Sequence, residues 1–432
     1  MQMEDPKVLE RMRSDWNERA GEDANYYVAF GRRDQDEEEF FATGEEMAQS
    51  LALELKRLAE RGAALEIGCG PGRLMRPLSR YFREIHGVDV SDEMVRLAHE
   101  RLRHTPNAHP HHSSGGDLAM FADESFDFVY SYAVFQHIPS RDVVFGYLRE
   151  ARRVLKPEGI LRCQINGLPP SARQYDTWGG VRISAQEIAQ FARENDWQLL
   201  ALEQARTQYM WITCRKRPPG WERNLATGVQ TPQAAIRSIG NALTGEAAAP
   251  ASGVMAAVSL WIENLPRDCD LNHLEITADG RPCTGTYLGQ PEADGVSQLN
   301  AVLPEGIRTG LVPIEVRWLG RTFCQPGWVR VIPGPPEVPR VAAITDGINL
   351  LSGSTIVTGS VKVTMVQVAH PERFDVRVDG HAVQELERFC TDPVMLRYEF
   401  NFHLPPEIAP GPHNVWITMG RRSFPPLGIE VA

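Results

Sequence analysis

Three glycines in the stretch LEIGCGPGRL (Leu65–Leu74) are spaced so that the main chain can hold a ligand closely. Gly68, Gly70 and Gly72 follow an apolar run and precede a helical pattern. Because glycine has no Cβ, such a loop turns sharply and lets a ligand approach the backbone. Glu66 stands two residues before the first glycine, where a carboxylate disfavours a pyrophosphate. The loop therefore suits a ligand with a positive charge or hydroxyl groups.

Further residues that could contact a ligand follow the next apolar runs. Asp89 ends the second predicted strand, 17 residues after the last of these glycines. An acid at that place binds ribose hydroxyls in doubly wound folds. Val90 and Met94 come next and could flank an adenine ring. In GGDLAMF, Asp117 could accept from an adenine amino group while the Leu118 backbone faces the ring edge.

The elements that must position these residues alternate along residues 61–217. Ser91 is a suitable N-cap for the second helix. The strand candidates are ALEIG, EIHGVDV, FDFVYSYAV, GILRCQIN, WQLLALEQ and QYMWITCRKR, and the helix candidates are GRLMRPLSRYF, SDEMVRLAHERLRH, SRDVVFGYLREARRVL and SAQEIAQFAREN. This βαβα order predicts an α/β fold with a mostly parallel sheet, which binds its ligand at the carboxyl ends of the strands.

With these motifs in order, residues 61–217 resemble a class I S-adenosylmethionine-dependent methyltransferase. LEIGCGPGRL matches the first family motif, GVDVSDEM the second and GGDL the third. SFDFVYSYAVFQHIP matches the fourth-strand motif, and LREARRVLKPEGILRCQI the following helix and strand. The resemblance implies a Rossmann-like, doubly wound, seven-stranded sheet with an antiparallel last strand, for which QYMWITCRKR is suitable. It also implies S-adenosyl-L-methionine as cofactor and S-adenosyl-L-homocysteine as product.

The resemblance assigns roles to residues of each motif. Glu66 and the three glycines would surround the methionine part of the cofactor, and Asp89 would hold the ribose. The other implied contacts lie at the adenine, from Val90, Met94, Asp117 and Leu118, and at the methyl-donor end, from Ser131 and Gln136. The sulfonium is already reactive, so positioning can supply much of the rate. A base is needed only if the acceptor must lose a proton.

Histidines offer two further readings. His137 lies just past the fourth strand, where it is either a general base or a residue that packs or caps. His109, His111 and His112 lie before the predicted third strand, without carboxylates or cysteines at metal-ligand spacing. We therefore predict no metal.

Aromatic residues flank the domain where family members commonly cover the active site. Trp16, Tyr26, Tyr27 and Phe30 precede it, and Trp178, with Tyr175, follows the fifth strand in QYDTWGG. Trp16, Tyr26, Tyr27 and Trp178 are the predicted acceptor-binding residues, and ordinary packing is the alternative reading.

The acceptor class follows from the fourth-strand loop. The NPPY-type loop used for amino groups of nucleic-acid bases is absent, and SYAVFQH stands in its place. The pattern resembles methyltransferases of small molecules, so an oxygen or carbon acceptor in a small molecule or glycan is expected.

Two other functions fit parts of the sequence. An NAD-dependent oxidoreductase requires G-x-G-x-x-G, but Arg73 stands at the place of its third glycine. The other is a cofactor-binding scaffold, or a protein methyltransferase, whose tail binds a partner.

The rest of the chain predicts additional domains. Residues 1–60 read as a helical lid and 218–253 as a linker with one helix in PQAAIRSIGNAL. Beyond the linker, three pairs of similar segments recur at offsets of 100 or 101 residues. They are LEITADG and FDVRVDG, LPEGIRTG and LPPEIAPG, and WLGR and TMGR. This period predicts two β-sandwich, immunoglobulin-like domains at 254–334 and 335–432, the first similar to bacterial IPT/TIG modules.

Composition limits the partners. A net charge of −11 disfavours nucleic acid, and no apolar run reaches the length of a membrane span. The charged start has no signal core, and seven cysteines without a CxxC pair predict a reducing cytoplasm. The tail could mediate homodimerisation or bind a protein.

Overall fold

The computed structural model describes residues 6–29, 35–170, 175–225, 233–322, 324–334, 338–348, 353–392 and 395–432. Phe30 lies outside the described residues. The chain divides into two compact units. Unit 1 comprises Met1–Ile239, Ser259–Val302 and Pro313–Trp328, and unit 2 comprises Gly240–Val258, Leu303–Val312 and Val329–Ala432.

The α-helices lie in the first half of the chain. They are α1 (Pro6–Ala29), α2 (Glu37–Ala52), α3 (Met75–Leu78), α4 (Asp92–Arg101), α5 (Arg141–Val154) and α6 (Ala185–Glu194). Short 3₁₀ helices occupy Leu53–Arg57, Ser79–Tyr81, Phe135–His137, Trp221–Asn224 and Pro371–Arg373. In the part of the chain that the structure describes, no helix has the length and apolar character needed to span a membrane.

The first seven strands form a sheet in unit 1. They are β1 (Ala63–Ile67), β2 (Glu84–Asp89), β3 (Ala108–His112), β4 (Phe126–Ser131), β5 (Leu155–Ile165), β6 (Trp197–Glu203) and β7 (Met210–Lys216). Their order is β3-β2-β1-β4-β5-β7-β6, with β7 antiparallel to β5 and β6. The remaining pairs are parallel. The predicted α/β fold of residues 61–217 is thus confirmed.

The later strands are short, and the described residues between them form no α-helix. They are β8 (Ala235–Asn241), β9 (Ala248–Pro250), β10 (Ala257–Glu263), β11 (Leu274–Ala278), β12 (Arg281–Pro282), β13 (Thr284–Leu288), β14 (Val296–Val302), β15 (Gly310–Trp318), β16 (Arg321–Thr322), β17 (Gly327–Ile332), β18 (Arg340–Asp346), β19 (Thr355–Ile356), β20 (Ser360–Val366), β21 (Phe374–Val378), β22 (His381–Ala382), β23 (Gln384–Asp392), β24 (Arg397–His403), β25 (Gly411–Met419), β26 (Arg422–Ser423) and β27 (Leu427–Val431).

The sheet of unit 1 does not end at β6, in contrast to the expected seven strands. β13 pairs antiparallel with β6 through Tyr287 and Ala201, and β14 pairs with β13. Nearby, Leu271 N–H donates to the Leu199 carbonyl at 2.9 Å. The β-rich tail therefore begins as a continuation of the α/β sheet.

Two local expectations were wrong. PQAAIRSIGNAL forms no helix but contributes β8, because Ile236 and Ile239 pack around Gly327 and β-branched side chains favour strands. The His109, His111 and His112 cluster does not precede the third strand but forms most of β3. Histidine has little strand propensity, so the pattern did not mark this strand.

The repeat seen in the sequence is a repeat of strand pairings. In unit 1, β11 pairs antiparallel with β15, with Leu274 opposite Trp318. In unit 2, β21 pairs antiparallel with β25, with Phe374 opposite Met419. The same register therefore recurs at offsets of 100 and 101 residues.

Gly87 of β2 connects the sheet to the glycine loop. It pairs with Glu66 of β1. A Cβ on Gly87 would lie 2.5 Å from Sδ of Met75 and 2.6 Å from Cβ of Cys69. Only a glycine lets the loop and α3 pack this closely onto β2.

We predict that Gly87→Ala lowers the free energy of unfolding by about 2 kcal/mol, since overpacking of a tight core has this cost. Gly21→Ala is the matched control, because Gly21 lies in α1 with nothing within 4 Å of an added Cβ. It should raise stability by up to about 1 kcal/mol. Urea unfolding followed by circular dichroism measures both. Equal stability of the two variants would contradict the packing argument.

Candidate functional site

The glycine loop folds over the carboxyl ends of β1 and β2. Gly68, Gly70 and Gly72 have φ values of 75°, 51° and 86°, in the left-handed region that favours glycine. The amides of Gly68 and Cys69 both donate to the Val88 carbonyl, at 2.8 and 3.0 Å. The loop backbone is therefore fixed at the edge where α/β sheets bind ligands.

Two other segments lie against this loop. A Cβ on Gly68 would lie 2.3 Å from Cγ2 of Val134, which follows β4. A Cβ on Gly70 would lie 3.4 Å from Cγ2 of Val28 in α1. The loop is thus enclosed by the segment after β4 and by the N-terminal helix.

Two carboxylates flank the loop. Glu66 is 3% exposed, and Tyr130 Oη donates to its Oε2 at 2.9 Å. Burial raises the pKa of Glu66 to about 8, against the opposing effects of the Tyr130 hydrogen bond and the Arg73 charge. Glu66 is therefore mostly protonated at neutral pH in the ligand-free chain.

Asp89 organises the other side of the loop. Its Oδ2 accepts from the Gly70 amide and its Oδ1 from the Ser91 amide, both at 2.9 Å. Burial raises the pKa of Asp89, and these backbone hydrogen bonds oppose that rise. Each oxygen keeps further acceptor capacity.

Helix α1 crosses the start of α4. Ser91 caps α4, as predicted, by accepting from the Met94 amide at 3.1 Å, and its Oγ is 2.7 Å from Oδ1 of Asn17. Arg13 Nε donates to Asp92 Oδ2 at 2.7 Å. Met94 is buried in a cluster with residues of α1. The helix therefore covers this predicted adenine contact.

The other predicted adenine contacts already have protein partners. Asp117 is exposed, with Oδ2 accepting from Ser114 Oγ at 3.1 Å and Oδ1 from the Ala119 amide at 3.0 Å. The Leu118 amide donates to Glu150 Oε2 at 3.1 Å. Val90 packs against Gly115, because a Cβ added at Gly115 would lie 2.7 Å from Cγ2 of Val90.

The segment after β4 carries the predicted methyl-donor contacts. Ser131 is buried, and its Oγ donates to the Ile67 carbonyl at 2.8 Å, which joins β4 to β1. Gln136 is 5% exposed, and its Oε1 has no hydrogen-bond partner among the described residues. An unsatisfied buried amide oxygen is costly, so Gln136 is poised to accept from a ligand.

His137 is held in one tautomer by its neighbours. Its Nδ1 lies 3.0 Å from the Trp178 carbonyl, so Nδ1 carries the proton. Nε2 then accepts from Nε2 of Gln136 at 3.3 Å. Burial, assisted by the nearby Arg19 charge, lowers the pKa of His137 to about 4. The imidazole is therefore neutral at pH 7.

The four predicted aromatic residues form one cluster around His137. The Trp16 ring meets the His137 ring edge-on at 5.5 Å between centroids. Trp178 is 42% exposed, and its ring centroid lies 6.4 Å from that of His137 and 6.3 Å from that of Tyr27. The ring centroids of Tyr27 and Tyr26 are 5.2 Å apart. Helix α1 and the segment after β5 thus meet beside the glycine loop.

Arg19 belongs to this cluster, but the sequence analysis did not predict it as a site residue. Its guanidinium lies 4.7 Å from the Trp16 ring centroid and 5.4 Å from that of Trp178. It also donates to the carbonyl and Oγ1 of Thr177, at 3.0 and 3.1 Å. Its position three residues after Trp16 on a helix was the available signal.

A second missed group follows β4. The Tyr132 ring stacks on Trp211 of β7 at 5.7 Å and lies 5.3 Å from the buried Arg73 guanidinium. Nε of Arg73 has no partner among the described residues. These residues add a polar, aromatic wall beside the carboxyl end of β4.

His109 and His111 of β3 group with His86 of β2, whereas His112 lies opposite Asp89 in the pairing of β2 with β3. His86 Nδ1 lies 3.0 Å from His111 Nε2, and the His86 and His109 rings are 5.0 Å apart. Burial lowers the pKa of both His86 and His111. Within the described ranges, no group of three or more His, Cys, Asp or Glu side chains is arranged to hold a metal ion.

Comparison with known families identifies the segment that contains these motifs. A family model described as a methyltransferase domain matches residues 65–163. The chain carries a methyltransferase domain. This segment of the methyltransferase domain extends from the glycine loop to β5, so the match supports the predicted cofactor, S-adenosylmethionine.

Curated relatives are similar over part of their length. The chain is 28% identical over 161 residues to phosphoethanolamine N-methyltransferase 2 of Caenorhabditis elegans. This alignment covers 35% of this chain and 36% of the relative. The chain is 30% identical over 108 residues to a ubiquinone biosynthesis O-methyltransferase of Cereibacter sphaeroides, which covers 25% and 42%. The matches thus span less than half of each relative.

A solved structure is also similar over half of each chain. Phosphoethanolamine N-methyltransferase 1 of Haemonchus contortus, with phosphoethanolamine and S-adenosylhomocysteine bound, is 15% identical. The alignment covers 50% of this chain and 51% of the other, with a TM-score of 0.38.

The lowered pKa of His137 predicts a pH dependence of stability. The unfolded imidazole takes up a proton below its ordinary pKa of 6.5, whereas the folded one stays neutral until about pH 4. Its contribution to stability is therefore complete above pH 6.5 and lost as the pH falls toward 4, by about 3 kcal/mol. Urea unfolding of the wild type and His137→Gln from pH 7.5 to 4.5 measures this loss, which should be absent in the variant. His99→Gln, an exposed histidine of α4, is the control. Parallel pH profiles for the wild type and His137→Gln would contradict the interpretation.

Proposed function

We propose that this chain transfers a methyl group from S-adenosylmethionine to an oxygen or carbon atom of a small molecule or glycan. The observation that carries the proposal is the positive-φ glycine loop between two carboxylates, Glu66 and Asp89, within a segment that matches a methyltransferase domain. When bound, the cofactor supplies an electrophilic methyl group.

The residues at the loop fit this cofactor better than a dinucleotide. A ligand ammonium group would stabilise the ionised form of Glu66, which a pyrophosphate would oppose, and a ribose diol can donate to Asp89. The oxygens of Asp89 point toward the loop backbone, since they accept from the Gly70 and Ser91 amides. We assign the methionine part of the ligand to Glu66 and the glycines, and the ribose to Asp89. The adenine contacts assigned to Val90, Met94, Asp117 and Leu118, and the contact of Ser131, remain part of the proposal.

The acceptor is proposed to bind between Gln136, His137 and the aromatic cluster. The free Gln136 Oε1 can accept from an acceptor hydroxyl, and Trp16, Tyr27 and Trp178 offer ring surfaces. With its pKa lowered to about 4, His137 is a weak base at neutral pH. We propose that His137 positions Gln136, whose Nε2 donates to His137 Nε2 at 3.3 Å and whose Oε1 is left for the acceptor. His137 takes a proton only from an acceptor that becomes acidic during transfer.

The named relatives methylate different atoms. One is called an N-methyltransferase and another an O-methyltransferase, so a nitrogen acceptor is the alternative to oxygen or carbon. A protein acceptor, or a cofactor-binding scaffold without transfer, is the alternative in which the tail binds a partner.

The remaining organisation is proposed from the sequence. The lid is assigned to residues 1–60, the transferase domain to 61–217, and immunoglobulin-like modules to 254–334 and 335–432. Residues 218–253, assigned to a linker, contain β8 and β9. The repeated β11–β15 and β21–β25 registers support two similar modules. The seven cysteines are free thiols, which supports a cytoplasmic location. The tail is proposed to bind a protein or a second copy of the chain.

Binding of S-adenosylhomocysteine is predicted to release a proton from Glu66. Its pKa of about 8 leaves it protonated at pH 7, and a nearby ligand ammonium stabilises the ionised form. About one proton should be released per ligand at pH 7, and affinity should rise with pH from 6 to 8. Calorimetry in two buffers of different ionisation enthalpy measures the release. Glu66→Gln should bind without it, and buffer-independent heats in the wild type would contradict the assignment.

Asp89→Ala is predicted to weaken S-adenosylhomocysteine binding by at least about tenfold, since it removes two hydrogen-bond acceptors at the loop. Asp123→Ala is the matched control, because Asp123 is an exposed carboxylate paired with Arg153. Unchanged affinity in Asp89→Ala would overturn the cofactor assignment.

Transfer is tested by incubating the full chain with methyl-labelled cofactor and a fractionated cell extract. Label in the small-molecule fraction supports the proposal, label in protein supports the protein alternative, and no label with intact binding supports the scaffold.

A further inference from the structure

A cavity of about 290 Å³ lies in unit 1 at the amino end of β6, whereas the glycine loop lies at the carboxyl ends of β1 and β2. Gln198 is the second residue of β6 and Arg215 the last but one of β7, and both line it. The other walls come from the 3₁₀ helix Leu53–Arg57 with the residues after it and from residues 265–297. The transferase chemistry proposed above makes no use of this cavity.

The charged side chains that line the cavity all have the same sign. Lys56, Arg57, Arg215 and Arg267 line it, and the described lining contains no Asp or Glu. Because the chain as a whole carries a net charge of −11, this concentration of cations is local. The cavity therefore has the charge expected of a site for an anion.

Two of these cations are neutralised by protein carboxylates. Arg57 forms a buried ion pair with Glu54. Arg267 Nη2 lies 2.9 Å from Oε2 of Glu158. Their charges are thus largely compensated without a ligand.

The other two cations lack such a partner. Across the described residues, no carboxylate lies within 4.0 Å of Arg215 or Lys56. Arg215 is 6% exposed, and Nη1 donates to Gln198 Oε1 at 3.3 Å. Gln198 is fixed in turn, because its Nε2 donates to the carbonyls of Arg267 and Cys269, both at 2.8 Å. A rigid neutral acceptor therefore orients the Arg215 guanidinium and leaves its charge uncompensated.

A buried, uncompensated guanidinium is energetically unfavourable. Burial lowers the pKa of Arg215 to about 10, with Glu158 opposing this shift and the charges of Arg57, Arg267 and Arg217 adding to it. Arg215 is therefore still charged at neutral pH. A bound anion would remove the penalty.

We propose that this cavity binds a small molecule with a phosphate group, held by Arg215 in the floor and Lys56 at the rim. A phosphate dianion matches two uncompensated cations, and a guanidinium can donate to it in a bidentate manner. Leu58, Leu200 and Leu265 line the same cavity and provide apolar contacts for an organic part. The proposal is independent of the methyl acceptor.

The test is calorimetric titration of the full chain with inorganic phosphate, with glycerol phosphate and with acetate, against sodium chloride of matched ionic strength. We expect one site per chain for at least one phosphate compound. Arg215→Gln should weaken binding by at least about tenfold and Lys56→Gln by about threefold. Arg237→Gln, which removes an exposed arginine paired with Glu263 and Asp294, should not change it.

Binding of S-adenosylhomocysteine and the circular dichroism spectrum serve as checks that each variant is folded. If Arg215→Gln does not fold, exposed Lys56 provides the deciding variant. Tighter binding of glycerol phosphate indicates a phosphomonoester ligand, and tighter binding of inorganic phosphate indicates the free ion; both support the site. Absence of phosphate binding above chloride, tighter binding of acetate than of phosphate, or equal affinity in wild type, Arg215→Gln and Lys56→Gln would each overturn the proposal.

Discussion

The carbonyl of Val88 accepts hydrogen bonds from two successive amides, those of Gly68 and Cys69, and the geometry of the site depends on this arrangement. It draws the chain leaving β1 across the end of β2, which requires positive φ at the first glycine. The same fold of the loop brings the Gly70 amide to Asp89 and leaves Glu66 buried against Tyr130. Two carboxylates and an open backbone are thereby held on a rigid sheet edge.

Around this rigid edge, the remaining residues come from segments without a fixed place in the sheet. Helix α1 contacts the start of α4 through Arg13 and Asn17, and it contacts the segment after β5 through Arg19. The proposed acceptor side thus lies where three separate parts of the chain meet. Side-chain hydrogen bonds join these segments, and Met12 of α1 is buried in the main apolar core of the α/β sheet.

The sequence was sufficient for the α/β order and for the residues at strand ends, because these depend on local patterns. The alternation of apolar runs predicted that Glu66 and Asp89 lie at the carboxyl ends of neighbouring strands, and the family resemblance added Ser131. Non-local features were not accessible in this way. No local pattern shows that Arg19 lies between two tryptophans, that the Gln136 amide lacks a partner, or that the Leu118 amide is already bonded to Glu150. The strand β3 was missed because its three histidines do not resemble a strand.

The pairing of β13 with β6 has a consequence for the independence of the transferase part. A protein cut at residue 217, where the composition changes, would leave the outer N–H and C=O groups of β6 without the neighbour that β13 provides. It would also remove the carbonyls that hold Gln198 and the segment near Leu271 that bonds to Leu199. An exposed strand edge is a template for self-association. The minimal stable fragment must therefore extend at least through β14, and the first part of the tail has a structural role in the α/β part of the chain whatever the rest of the tail binds.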